Sequence, residues 1–247
     1  MKASDYIVSF ISERGVDIVF GYIGGMITHL VDSLARSEKV RYIQTYHEQT
    51  AAIAAEGFAI ENGKFGVAIS TSGPGATNMM TGIADAYFDS IPVLYITGQV
   101  NSYEYKYDKP IRQQGFQETD IVSIVKPITK YAAFVDDAKN LRYELEKAIH
   151  IATTGRKGPV LLDIAMNVQR TDINPDELLG YKDDVNPIEE KFDLTEIVDL
   201  FSKSKRPMVL LGAGCIGDEV QKQLESFVFN NEVPVVTSLM GRGAIDE

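Results

Sequence analysis

Apolar residues along the chain switch repeatedly between helical spacing and short β-branched runs, which is how helices interleaved with buried parallel strands read. The helical spacing predicts helices over 3–14 and 26–37, a long one starting near His47, and others over about 76–88 and 140–153. The β-branched runs between them predict strands over 17–22, 40–45, 65–71, 92–97 and 159–164. Such alternation implies an α/β fold, a layered parallel sheet with helices on both faces, occupying residues 1–167. Residues 168–191 hold Pro175 and Pro187, many acids and little apolar periodicity, and are expected to form a linker. A second unit, 192–247, predicts a helix over 194–204, a strand over 207–211, a helix over 220–230 and a strand over 234–239. Two strands and two helices bury too little apolar surface for an independent doubly wound domain. This unit is therefore expected to be the truncated start of a Rossmann-like α/β domain.

Composition narrows the partners. With 45% hydrophobic and 24% charged residues the chain is typical of soluble globular proteins. A formal net charge of -11 argues against a nucleic-acid surface, which needs clustered cations to displace counterions. A small-molecule partner is expected instead. The single cysteine, Cys215, excludes an internal disulfide and fits a reducing compartment. The opening residues carry charges through their apolar stretch, and no run approaches the roughly 20 apolar residues of a membrane span. A cytoplasmic location without membrane contact follows as an expectation.

Three Gly-rich turns adjoin predicted strands. Gly212, Gly214 and Gly217 have the spacing of a dinucleotide fingerprint, but the next strand runs into Met240, Gly241 and Arg242 without the acid that fingerprint requires. Close strand-to-helix packing is the expected role of those glycines, and FAD binding stays open. The turn Ser72-Gly73-Pro74-Gly75-Ala76-Thr77-Asn78 lacks the Lys-Ser/Thr ending of a phosphate loop. Its glycines let backbone approach a bound ring, and Thr77 and Asn78 offer hydrogen bonds from the first helical turn. Taken alone, it is equally an ordinary helix start. His29 and His150 read as ordinary helix residues, and no Cys/His grouping has metal-ligand spacing.

Tyr46-His47-Glu48-Gln49, between a predicted strand and an Ala-rich helix, resembles the segment of thiamine-diphosphate enzymes that presents a glutamate to the aminopyrimidine ring. The strings 68–78, Asp85-Ala86, Ile91-Pro92-Val93, Ile96-Thr97-Gly98-Gln99, Gly115-Phe116-Gln117-Glu118, Ile128-Thr129-Lys130 and 155–160 follow in the order seen in acetolactate synthases. Together they cover essentially the whole chain. The resemblance implies an N-terminal pyrimidine-binding domain followed by the start of a central domain, in an enzyme that decarboxylates a 2-oxoacid such as pyruvate and ligates the two-carbon unit to a carbonyl acceptor. It makes Glu48 the catalytic residue. A carboxyl bonded to the pyrimidine N1′ promotes the imino form of the cofactor's 4′-amino group, which deprotonates the thiazolium C2. That role calls for an apolar, Ala-lined pocket in which the carboxyl can hold a proton near neutral pH. Without the surrounding strings, Glu48 reads as a helix N-terminal acid favoured by the dipole.

By the same resemblance Gly24, Gly25, Gly73, Pro74, Gly75 and Asn78 are cofactor-binding, and Arg156 matches an arginine that contacts flavin. Phe116, Gln117 and Lys130 match a substrate channel, with a plain surface role equally open for Lys130. His47 is read as orienting Glu48 or substrate, or as a helix cap. Two departures stand out: Ile23 replaces the family's usual proline, and residues 100–114 replace a short Pro-Arg-rich stretch with one holding Tyr103, Tyr105 and Tyr107. An aromatic loop of that kind could stack on a bulkier acceptor, such as a keto-sugar nucleotide. The family's Gly-Asp-Gly sequence, which binds Mg²⁺ and through it the diphosphate, does not occur here. The resemblance thus implies Mg²⁺ held by a further domain and at least a dimer. A split subunit or a non-catalytic binding remnant are the alternatives to an enzyme fragment.

Overall fold

The computed structural model describes residues 1–183 and 192–245. The chain divides into two compact units, Met1–Asp183 and Asp184–Glu247. The first is built from α1 (Ala3–Glu13), β1 (Ile18–Gly21), α2 (Thr28–Ala35), β2 (Arg41–Gln44), α3 (Glu48–Asn62), β3 (Gly66–Ser70), α4 (Pro74–Asn78), α5 (Met80–Asp89), β4 (Val93–Gln99), α6 (Ile121–Val125), β5 (Tyr131–Val135), α7 (Leu141–Thr153), β6 (Val160–Ala165) and α8 (Met166–Arg170). Its six strands pair in the order β2-β1-β3-β4-β6-β5, every pair parallel.

Strand side chains alternate between two cores, as the period of two requires. Val67 and Ile69 of β3, Leu94 and Ile96 of β4 and Leu162 and Ile164 of β6 join a core with Ile7 and Ile11 of α1, Leu30 of α2, Leu141 and Leu145 of α7 and Val168 of α8. Ala68, Tyr95 and Leu161 point the other way, into a core with Ala51, Ala52 and Ala55 of α3, Ile83 and Ala86 of α5 and Ile121 of α6. Helices therefore cover both faces of a parallel sheet, as expected from the alternating pattern. Because β3, β4 and β6 are buried on both faces, their sequences read as unbroken apolar runs.

The strand order places a topological switch between β1 and β3, since the chain winds outward to β2 and then returns to the other side of β1. At such a point the loops after the two strands diverge and leave a crevice at the carboxyl ends.

Several details differ from the sequence expectation. Strand β5 has no counterpart in it: this is the sheet edge, only Val135 is fully buried, and so no buried apolar run marks it. The helix expected over 76–88 is two pieces, α4 and α5, meeting at Met79. The expected linker begins as packed structure. Val168 and Gln169 are buried, the Ala3 N–H bonds the Thr171 carbonyl at 2.8 Å, and the amino terminus bonds the Ile173 carbonyl at 2.9 Å. The described part of that linker, 168–183, thus belongs to the first unit; its remainder, 184–191, lies outside the described residues.

In the second unit α9 (Thr195–Lys203), β7 (Val209–Leu211), α10 (Asp218–Asn231) and β8 (Val235–Thr237) follow in the expected order, the two strands pairing in parallel. Leu200, Met208 and Leu210 are exposed, the outcome expected of so few elements. The close packing expected of Gly212 and Gly214 is not found, because a Cβ at either would meet nothing within 4 Å. Gly217 instead has a backbone reason, a φ of 153°. Among the described residues no helix is long and apolar enough to cross a membrane.

Candidate active site

The crevice at the switch point is lined by the segments after β1, β2 and β3. After β1, Gly24 is extended, and glycine is required there by closeness: a Cβ would stand 2.4 Å from Thr71 Cβ. The Met26 N–H donates to Thr71 Oγ1 at 3.1 Å, tying the first turn to the third. A Cβ on Gly25 would meet nothing within 4 Å, so internal packing does not require glycine there.

After β2, His47 caps α3, its Nδ1 accepting from the Gln49 N–H at 3.2 Å. The capping alternative is thus the one realised for His47. Glu48 is the first residue of α3, where the helix dipole favours an acid, and it is 7% exposed. Asn78, the last residue of α4, donates from Nδ2 to Glu48 Oε2 at 3.0 Å. The other oxygen, Oε1, faces Gly75: a Cβ on Gly75 would lie 3.1 Å from Oε1 and 2.8 Å from Thr71 Cγ2. Glycine at 75 keeps the space beside that oxygen free of side chain.

After β3, Gly73 has φ 60° and ψ -121°, a conformation closed to other residues, and Pro74 then starts α4 with its φ preset. A Cβ on Gly73 would strike the Gln117 carbonyl oxygen at 2.7 Å. Gln117 has a left-handed φ of 58°, and its neighbour Phe116 is 74% exposed. The loop holding this pair is fixed by Glu118, whose buried carboxylate accepts the N–H groups of Lys106, Gln114 and Gly115 at 2.8, 2.7 and 3.0 Å. Beneath it, Asp163 of β6 accepts from Thr97 Oγ1 at 2.6 Å and from Gln99 Nε2 at 2.8 Å, and Gln99 Nε2 also bonds the Thr119 carbonyl. Complete burial pushes the Asp163 carboxyl up to about 7, against the lowering effect of those two bonds.

Gly24, Glu48, Gly73, Gly75, Asn78 and Gln117 are thus brought together. Lys130 and Arg156 are not. Lys130 immediately precedes β5, and Arg156 lies in the turn before β6, so both sit at the amino edge of the sheet. A seven-residue strand such as β4 spans roughly 20 Å, which separates that edge from Glu48. Lys130 Nζ donates to the carbonyls of Ile151 and Thr154 at the end of α7, and burial lowers its pKa. Arg156 Nε donates to Ser90 Oγ at 2.8 Å. With Tyr87, Phe88 and Lys157 they line a separate cavity of about 290 Å³.

The tyrosine-rich stretch also differs from expectation. Tyr105 packs on Phe134 with ring centroids 4.6 Å apart, Tyr107 packs on Tyr105, and the Tyr107 hydroxyl donates to Asp136 Oδ2 at 2.9 Å. Tyr105 and Tyr107 thus anchor the stretch beside the edge strand β5, while Tyr103 and Tyr107 stay exposed.

Thr71, Ser72, Gln99 and Glu118 lie in the strings quoted above without a role assigned to them, and Asp163 lies in none of those strings. Ser72 Oγ is buried in the Gly73 turn without a hydrogen-bond partner. For Asp163 the available signal is an acid inside an otherwise apolar strand.

Residues 1–124 match the family described as thiamine pyrophosphate enzyme, N-terminal TPP binding domain, and residues 194–247 match thiamine pyrophosphate enzyme, central domain. The chain is 38% identical to the chloroplastic acetolactate synthase of Arabidopsis thaliana, over 98% of this chain and 36% of that protein. It is 39% identical to the acetolactate synthase large subunit of Corynebacterium glutamicum, over 100% of this chain and 39% of that one. It is 38% identical to the probable acetolactate synthase large subunit of Methanocaldococcus jannaschii, over 100% of this chain and 42% of that one. The chain spans well under half the length of these relatives.

Proposed function

This chain belongs to the thiamine pyrophosphate enzymes, and from that membership we propose that its first unit holds the aminopyrimidine half of thiamine diphosphate, with Glu48 exchanging a proton with the ring nitrogen N1′. The observation that carries the reading is the Glu48 carboxyl, buried at a helix start, with one oxygen held by Asn78 and the other beside the side-chain-free Gly75. When bound, the cofactor supplies a nucleophilic thiazolium carbon on which a 2-oxoacid is decarboxylated. The Asn78 amide orients the carboxyl, and Oε1 is the atom at which the proton is held and moved. Gly24, Gly25, Gly73, Pro74 and Gly75 give a planar ring close backbone approach, and Phe116 and Gln117 stand where substrate enters.

The relatives' names favour a 2-oxoacid ligase of the acetolactate synthase type, with pyruvate as donor. Mg²⁺ and the diphosphate are assigned to a further domain, the assembly to at least a homodimer, and the location to the cytoplasm. FAD enters only as a group that Arg156 would meet at the amino edge, away from Glu48. The packing of Tyr105 on Phe134 takes one of the three rings away from the alternative acceptor, a keto-sugar nucleotide.

The test supplies the diphosphate-binding domain, on the same polypeptide or as a second chain, and follows pyruvate consumption and product with thiamine diphosphate and Mg²⁺. Acetolactate from pyruvate alone is the expected outcome. An undiminished rate in Glu48→Gln would overturn the role of Glu48, and no product without a larger acceptor would overturn the assigned substrates.

A further inference from the structure

On the face of α3 that packs against α5, about two turns beyond Glu48, lies a second carboxyl with no part in the proposed chemistry. The helices approach closely there, since a Cβ on Gly82 of α5 would stand 2.5 Å from Ala52 Cβ. Glu56 is 5% exposed, yet its Oε2 has no hydrogen-bond partner. Facing it are Asp85 and Asp89, one turn apart on α5 and so on the same side of that helix. One carboxylate oxygen from each of the three residues lies within 4.8 Å of the others. Among the described residues none of the three takes part in an ion pair. An unpartnered buried carboxyl oxygen facing two like charges is an arrangement that lacks a cation.

We propose that Glu56, Asp85 and Asp89 form a binding site for a divalent cation of calcium size, which clamps α3 to α5. The ligands are all hard oxygens, the set preferred by Ca²⁺ and Mg²⁺. Ligand number separates the two. Mg²⁺ is usually held through only one or two carboxylates and keeps several waters, whereas Ca²⁺ takes six to eight oxygens in flexible geometry, so three protein carboxylates suit the larger ion. Asp85 is exposed, which gives the ion a path in and leaves room for waters to complete its shell. Burial, and then the charges of Asp85 and Asp89, push the Glu56 carboxyl up to about 7. Since Glu48 is the first residue of α3, a clamp at Glu56 also fixes the helix that aims Glu48. The site is separate from any Mg²⁺ held with the diphosphate and is testable without cofactor or catalysis.

The purified chain, freed of metal with a chelator, is titrated with Ca²⁺ and with Mg²⁺ by calorimetry, and its thermal unfolding is followed with each ion. One Ca²⁺ per chain, a rise in melting temperature and weaker binding of Mg²⁺ are expected. Asp85→Asn, whose side chain is exposed and whose fold is therefore safe, and Glu56→Gln should each lose at least tenfold in Ca²⁺ affinity along with the melting shift. Glu61→Gln, an exposed acid elsewhere on α3, should lose neither. Absence of saturable Ca²⁺ binding at millimolar concentration, tighter binding of Mg²⁺, or undiminished binding by the Glu56→Gln/Asp85→Asn double variant would each overturn the proposal.

Discussion

The two edges of the six-stranded sheet carry residues of similar chemical promise put to different uses. At the carboxyl edge, the turns after β1 and β3 meet across the switch point, and their glycines are forced by contact: Gly24 against Thr71, Gly73 against Gln117, Gly75 against Thr71 and Glu48. At the amino edge, Lys130 and Arg156 complete the ends of helices and turns, with Lys130 on the last carbonyls of α7 and Arg156 on Ser90. Polar groups at the first edge converge on one carboxyl, while those at the second satisfy separate pieces of backbone or loop. Parallel topology explains the contrast, because only at the carboxyl edge does the winding reverse and open a crevice.

The largest effect that would break this contrast is loss of the proton-holding group. Glu48→Gln keeps the Asn78 contact and the shape of the side chain but cannot exchange a proton at Oε1. With the diphosphate-binding domain supplied, kcat/KM should fall on the order of 10²–10⁴-fold, with unfolding of the chain unchanged. Next comes the space beside that oxygen. Gly75→Ala adds a methyl 2.8 Å from Thr71 Cγ2 and 3.1 Å from Glu48 Oε1, and a displacement of the carboxyl of about 1 Å costs roughly 10²-fold in rate. Adding Thr71→Ser, which removes Cγ2 and keeps the hydroxyl that Met26 bonds, should restore part of the loss. If Gly75→Ala left the rate intact, the crowding at this edge would have no functional meaning.

The buried network below the carboxyl edge sharpens the comparison through pH. Burial raises the Asp163 carboxyl from 3.8 to about 7, so the native chain holds a proton that the unfolded chain has already released. The stability it contributes is fully present below pH 3.8, declines as pH rises, and is lost above about 7. The amplitude is on the order of 2–4 kcal/mol. Denaturant unfolding between pH 5 and 8 should show this decline in the wild-type chain and a flatter profile in Asp163→Asn, and equal slopes would refute it.

Much of this organisation is legible in the sequence, for identifiable reasons. Strands β3, β4 and β6 are buried on both faces, so their apolar runs are unmistakable, whereas β5, half-buried at the edge, leaves no such run. The glycine turns and Glu48 are readable as site residues only through the ordered strings around them, since locally the turn over 72–78 is equally a helix start and Glu48 a helix N-terminal acid. What cannot be read is the edge that Lys130 occupies, because no apolar run announces β5, the strand it precedes. Arg156 precedes the legible β6, so its place at the amino edge follows from the apolar run over 159–164. The packing of Tyr105 is hidden for a related reason: its partner, Phe134, belongs to that unannounced strand.

The smallest effect tests the amino edge directly. Lys130→Met keeps most of the apolar stem and removes the ammonium that bonds the Ile151 and Thr154 carbonyls at the carboxyl end of α7, where a cation also interacts favourably with the negative end of the helix dipole. A loss of about 1–2 kcal/mol in unfolding free energy is expected, with kcat/KM unchanged once the diphosphate-binding domain is present. Arg156→Ala, which frees only the Ser90 hydroxyl, should cost less still. The informative result is the split between the two measurements. Should Lys130→Met lower turnover while leaving stability intact, its ammonium would act on substrate and not on α7, and the amino edge of one copy would have to meet the carboxyl edge of another. The separation of roles within one chain would then be a property of the isolated subunit, erased by assembly.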